Sequence, residues 1–281
     1  AGGFKEIDDV AIAAPLTKYS AAITDGERIG EFVDRAYKVA VNGYPGAVHL
    51  SLPVDIMFSS FSEDVGLSER PFELSAESPA RAWPEPRRLQ QILAKLVAAK
   101  RPILIGGHGV WWSGAEKKLE KAGYKLRIPV YNIPYHQKLL SEQSDAYMGL
   151  ADIHQYHPSE SAFSEADLIL MVGGRLDNQM NFGNPPLFPR GTELVCINGS
   201  HEEVDLNRAA DMTLLCDPGA FFDALVSLDD EALAERDSNW LELNCRRRLE
   251  WVAKMYADVN AEAASTDFGD QIHPLHLALD V

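Results

Sequence analysis

The sequence is poor in cysteine. Three occur in 281 residues, Cys196, Cys216 and Cys245, and no CxxC pair is among them. A sparse, odd set builds neither a disulfide framework nor a cysteine zinc site, and it points to a reducing, cytoplasmic setting. Long apolar runs are also lacking, since none approaches the ~20 residues of a membrane span. Positive charge is in deficit: 26 Lys and Arg stand against 42 Asp and Glu, for a formal net charge of −16. Duplex nucleic acid and anionic membrane are therefore excluded as default partners, because both ask for a basic surface. A nucleotide-sized ligand needs only local donors and stays open. No P-loop Gly-Lys-Ser/Thr, GxSxG elbow or HExxH pair is present. The start, Ala1-Gly2-Gly3-Phe4-Lys5, lacks both an initiator Met and the basic flank and apolar core of a secretory signal. It reads as a chain that starts inside a larger protein.

Hydrophobic residues make up 46% of the chain, enough for sizeable cores. Residues 25–41 are predicted as a helix capped by Asp25, with Ile29, Phe32, Val33, Ala36 and Val39 at helical spacing. Residues 43–46 break it, and 47–53 read as a short buried strand ended by Pro53. The stretch 61–86 is rich in Ser, Glu and Pro and reads as a linker. Residues 87–228 then alternate. A helix carrying Leu89, Ile92, Leu93, Leu96 and Val97 leads to a strand at 102–105 and a glycine turn. A helix at 113–123, a strand at 128–133 and a loop holding His136 and Met148 follow. Next come a helix near 158–165, a strand at 167–173 and an irregular stretch with Pro185-Pro186. A strand at 193–198, a short helix near 201–207 and a strand at 212–217 precede a helix opening on Pro218, with Asp217 as cap. Five apolar strands alternating with helices require a parallel sheet covered on both faces. After an acidic stretch, a further helix carries Leu241, Cys245, Leu249, Val252 and Tyr256. The fold class is α/β, a doubly wound parallel sheet of Rossmann-like type.

The glycine turn Gly106-Gly107-His108-Gly109 raises the question of a phosphate cradle. A dinucleotide fingerprint fails, because Trp112 stands where its third glycine belongs. The plain alternative is a tight strand-to-helix turn without a ligand. Open parallel sheets nevertheless bind ligands beyond the carboxyl ends of their strands. Those ends carry Gly106, Gly107 and His108, then Asn132, Arg175, Asn198 and Asp217. Arg175 could pair with a phosphate, and Asn198 or Asp217 could hydrogen-bond a ribose or base. The structural alternatives are an ion pair of Arg175 with Asp177 and the capping role of Asp217. His154 and His157 form HxxH, which reads as a solvated helix entry, since zinc needs more ligands. Trp111 and Trp112 could floor a pocket, though core packing is the commoner role.

Two groups of segments carry a resemblance. "GGFKEIDDVAIAAPLTKYSAAI" and "AYKVAVNGYPGAVHLSLPVDI" resemble the end of the pyrimidine-binding domain of thiamine-diphosphate enzymes, through Thr17-Lys18, Pro45-Gly46, Val48, Leu50, Pro53 and Asp55. "RPILIGGHGVWWSGA", "LILMVGGRLDNQMNFGNPPLF" and "ELVCINGSHEEVDLNRAAD" look like that family's central domain. The nearest branch in style holds the acetolactate synthases, 2-hydroxyacyl-CoA lyases and oxalyl-CoA decarboxylases, and the Phe182-Gly183-x-Pro185-Pro186 stretch leans to the lyases. The resemblance implies partial thiamine-binding domains on either side of a central one. Residues 1–60 would end the pyrimidine-binding domain and 61–86 would be a linker. Residues 87–230 would form the central domain, and 231–281 a linker and the start of the diphosphate-binding domain. It implies an enzyme, a lyase or transferase that breaks or makes a C–C bond of a 2-hydroxyacyl-CoA or 2-oxo acid. Thiamine diphosphate and Mg²⁺ would be its cofactors, with their main binding motifs and the activating glutamate outside these residues. The chain alone would then be inactive. Phe4, Lys5 and Glu6 would line the active-site entrance of a partner subunit in a homodimer or homotetramer. Lys5 replaces the family's Gln, and Asn198 its usual acidic residue. The central cleft would hold FAD, ADP or CoA, at Gly106, Gly107, His108, Asn132, Arg175, Asn198 and Asp217, or nothing. Two other readings stay open: a nucleotide-binding module without catalysis, and a structural or oligomerisation piece.

Overall fold

A computed structural model describes residues 7–60, 81–134, 138–152, 157–228 and 239–265. The chain divides into two compact units, Ala1–Arg81 and Ala82–Val281. In the first, α1 (Asp9–Ala13) is capped by Asp8, whose carboxylate accepts from the Ala11 amide. Strand β1 (Tyr19–Ala22) precedes Asp25, whose side chain accepts from the Glu27 amide. That cap starts a single 3-10 turn, which runs into α2 (Ile29–Val41). Strand β2 (Val48–Ser51) and α3 (Val54–Met57) follow. Strands β1 and β2 pair in parallel, from Tyr19 opposite Val48 to Ala22 opposite Ser51. The helix expected at 25–41 is present. The strand expected to be buried is only half-buried throughout, because among the described residues its sheet has just two strands. The Ser51 hydroxyl donates to Asp9 at 2.6 Å and holds that carboxyl below its usual range.

Among the described residues, the second unit holds a six-stranded, all-parallel sheet flanked by helices. Its elements run α4 (Pro86–Ala98), β3 (Pro102–Gly106), α5 (His108–Trp112), α6 (Glu116–Leu126), β4 (Val130–Asn132), β5 (Tyr147–Leu150) and α7 (His157–Glu165). Then come β6 (Leu168–Val172), β7 (Glu193–Asn198), β8 (Met212–Leu215), α8 (Pro218–Val226) and α9 (Asn239–Ser265). The strand order is β5-β4-β3-β6-β7-β8. Alternate residues of each strand feed two cores. Leu104, Leu170 and Val195 pack with Ile92 and Leu96 of α4, Leu119 of α6 and Phe221, Phe222 and Leu225 of α8. Ile103, Ile105, Ile169 and Met171 face the other way, onto Phe163 of α7 and Trp240 and Leu241 of α9. Burial on both faces explains why the central strands read as unbroken apolar runs. This is the doubly wound α/β sheet that the alternation predicted.

Four expectations are corrected. Met148 lies not in a loop but in a sixth strand, β5, whose glycine at 149 and short length mute the strand pattern. The helix expected at 113–123 begins later, as α6 at Glu116, and a separate short helix, α5, precedes it at His108–Trp112. Gly114, at φ +62°, separates α5 from α6. The helix expected at 201–207 shrinks to one 3-10 turn, His201–Glu203, and Asp205 and Asn207 then take left-handed conformations (φ 58° and 67°) that stop it. In α9, Leu249 and Tyr256 are exposed, while Trp240, Leu241 and Asn244 are buried. The Trp240 indole donates to the Pro102 carbonyl at 2.9 Å, and Arg248 donates to the Tyr147 carbonyl at 2.7 Å. These contacts fasten the first turns of the helix to the sheet, so that Leu241 and Cys245 of the expected apolar face pack on the second core while Leu249 and Tyr256, farther along, are exposed.

Candidate functional site

All six strands are parallel, so their carboxyl ends share one edge of the sheet. The chain fills β3, β4 and β5 outward in one direction, then returns to fill β6, β7 and β8 in the other. The switch between β3 and β6 opens a crevice there, the general ligand position of such sheets. At this point the glycine turn after β3 meets the loop after β6. The Gly107 amide donates to the Val172 carbonyl at 2.9 Å, and the Gly109 amide to the Gly173 carbonyl at 2.8 Å. A Cβ at Gly107 would lie 2.4 Å from the Gly174 Cα and 2.5 Å from the Gly173 oxygen. These glycines serve contact between two backbones, and two of the turn's amides are consumed by it. A Cβ at Gly106 would meet the Leu139 and Leu119 side chains at 2.7 and 2.9 Å, so that glycine makes room for the core.

The other candidates divide into committed and available groups. Asp217 caps α8 by accepting from the Ala220 amide at 3.1 Å, and the Ser113 hydroxyl lies 2.9 and 3.0 Å from its two oxygens. Ser113 in turn accepts from the Gly219 amide at 3.0 Å, which ties the end of α5 to the start of α8. Asn198 is buried; its amide nitrogen donates to the Gly174 carbonyl and its oxygen accepts from the Ser200 amide, both at 3.2 Å. Both residues are occupied with local structure. Asn132, at the end of β4, is different. It is 3% exposed, and its side-chain oxygen has no hydrogen-bond partner among the described residues. A buried acceptor left unpaired costs about 1–3 kcal/mol, which a ligand donor would recover.

Arg175 lies three residues past the end of β6, with its side chain 53% exposed. Its ion-pair partner is Glu203, at 3.6 Å, and not Asp177, which instead accepts from the Gln179 amide. Sequence reasoning missed Glu203, because it sits five residues beyond the strand end in a segment expected to be helical. The pair places a carboxylate beside Arg175, beyond the end of β7. Asp152, buried just past β5, was missed because that strand was read as a loop. His108 stands at the start of α5 with its ring 5.6 Å from Trp111, nearly parallel, and 5.8 Å from Trp112. The tryptophans are 37% and 47% exposed, so the core role expected for them is not theirs. They form an aromatic surface beside the switch.

Phe4, Lys5, Glu6, His136 and His154 lie outside the described residues. Among those described, no three His, Cys, Asp or Glu side chains converge on a metal position. Burial pushes the Cys196 and Cys216 thiols up to about 12, which removes them as nucleophiles at neutral pH. No described helix is long and apolar enough to cross a membrane. What the edge offers is recognition: an exposed guanidinium, a buried acceptor and stacked aromatic rings.

Residues 89–225 match the family model of the thiamine pyrophosphate enzyme central domain. This segment is similar to that central domain. Among curated relatives of this chain, the acetolactate synthase large subunit of Lactococcus lactis is 28% identical over 228 residues, covering 80% of this chain and 38% of its own. The 2-hydroxyacyl-CoA lyase of Arabidopsis thaliana is 26% identical over 212 residues, covering 74% of this chain and 35% of its own. Oxalyl-CoA decarboxylase of Escherichia coli (strain K12) is 25% identical over 208 residues, with the same coverage of 74% and 35%. The chain thus spans about two fifths of the length of the curated relatives it matches, from 38% to 42% for the first three. In fold it is like benzoylformate decarboxylase from Polynucleobacter necessarius, with a TM-score of 0.66 at 22% identity over 83% of this chain and 42% of that one. The resemblance read from residues 101–115, the Arg175 loop and the Asn198 segment falls within the matched residues.

Proposed function

We propose that this chain is the core portion of a thiamine-diphosphate-dependent C–C lyase or carboligase acting on a 2-hydroxyacyl-CoA or 2-oxo acid. The observation that carries this reading is the family match over residues 89–225. Thiamine diphosphate with Mg²⁺ supplies the carbanion-stabilising chemistry of such enzymes when bound. No described cluster fits that metal, so no catalytic step is assigned to these residues.

Their role is to bind a nucleotide moiety. FAD, ADP and CoA share an adenosine diphosphate, and the carboxyl edge suits it. Arg175 would take a phosphate, Asn132 would accept from a hydroxyl or amino donor, Glu203 would hold the Arg175 guanidinium, and the His108 and tryptophan rings would border the site. The Phe182-Gly183-x-Pro185-Pro186 stretch favours the acyl-CoA branch. An acetolactate synthase-type carboligase is the second reading, supported by the acetolactate synthases among the relatives. Assembly as a homodimer or homotetramer belongs to the same proposal. Titration of the purified chain with ADP, CoA and FAD, read by tryptophan fluorescence and melting temperature, tests the nucleotide site. Saturable binding of at least one ligand is expected. Replacing Arg175 by Ala should weaken it about tenfold or more, the worth of a charged hydrogen bond. No response to any of the three would refute the site.

A further inference from the structure

The loop between β6 and β7 contains a rare backbone feature. Asn181 (φ 49°, ψ 36°), Phe182 (φ 53°, ψ 25°) and Gly183 (φ 74°) are consecutive left-handed residues. Gly183 suits that conformation and Asn181 tolerates it. Phe182 does not, because its Cβ crowds the following carbonyl. Such strain persists only where neighbours enforce it. Here the Phe182 amide donates to the Asp177 carbonyl at 2.7 Å, Asn181 donates to the Pro185 carbonyl at 2.8 Å, and Arg208 donates to the Gly183 carbonyl at 3.0 Å. The turn lies on Leu176, the residue after Arg175: a Cβ at Gly183 would come within 2.5 Å of Leu176 Cδ1.

Packing does not explain the choice of residue, since Phe182 is 45% exposed. An aromatic side chain is held in a conformation that Asn or Gly adopts at lower cost, and its ring gains little burial in return. It is presented from the same loop as Arg175, two residues beyond which the Asp177 carbonyl fixes it. Together these observations point to a contact made with something that binds at this edge. We propose that Phe182 is a specificity-determining ligand contact, its ring packing on the planar heterocycle of a nucleotide whose phosphate pairs with Arg175. This rests on the nucleotide reading of the site.

The test compares the wild-type chain with Phe182→Gly and Phe182→Tyr, measuring melting temperature and dissociation constants for ADP, CoA and FAD by calorimetry. Relief of the left-handed strain should raise the melting temperature of Phe182→Gly by roughly 1–3 °C. Loss of the ring should at the same time weaken binding about five- to tenfold. Phe182→Tyr should restore most of the affinity while melting near wild type. Unchanged affinity in Phe182→Gly overturns the contact while leaving the nucleotide site standing. A lower melting temperature for Phe182→Gly also overturns it, because the ring would then be a packing element. Failure of the wild type to bind any of the three overturns this inference and the site together.

Discussion

At the scale of single residues, absent and unpaired atoms define the edge more than charged ones do. Gly107 is required because the backbone of the next loop occupies the space its Cβ would need. Gly107→Ala should therefore cost at least about 2–3 kcal/mol, as overpacking against unyielding backbone does, with the loss read by urea unfolding. A variant as stable as wild type would show that the two loops can part. The sequence displayed these glycines plainly, yet it did not reveal whether their amides faced a ligand or a neighbouring loop. That depends on which strand lies beside β3, a fact of topology and not of local pattern. Asp217 was legible, since Asp before Pro at a helix start carries its own capping logic. Arg175 was legible as a cation at a strand end, but its partner was not: Asp177 is near in sequence, and Glu203 is near in space.

At the scale of elements, strong apolar runs were readable and weak ones were not. Strands β3, β6 and β7 announce themselves because both faces are buried. Strand β5 is an edge strand of four residues with a glycine in it, and periodicity has little to grip there. Helix α9 was legible in part, since Leu241 and Cys245 of its apolar face do pack on the core. Trp240 also fills the second core and donates to the Pro102 carbonyl. Trp240→Ala should destabilise the unit by about 3–5 kcal/mol, the usual cost of emptying a large core site. It should also speed amide exchange in the first turns of α9. Exchange unchanged in those turns would mean that the Arg248 contacts alone hold the helix.

At the scale of the whole unit, the alternation of strands and helices was enough to set the layer architecture, because parallel strands need long crossovers. The strand order was not available from alternation. It places the switch between β3 and β6, and so brings Arg175, Asn132 and the His108 ring system to one edge from segments far apart in sequence. The account's central claim is that this edge receives a nucleotide. A crystal structure of the protein grown with ADP or CoA tests it most directly. The account predicts ligand density beyond the carboxyl ends of β3 and β6, with a phosphate against Arg175 and a donor on the Asn132 side-chain oxygen. Density at the amino edge of the sheet, or an empty crevice at saturating ligand, would contradict it.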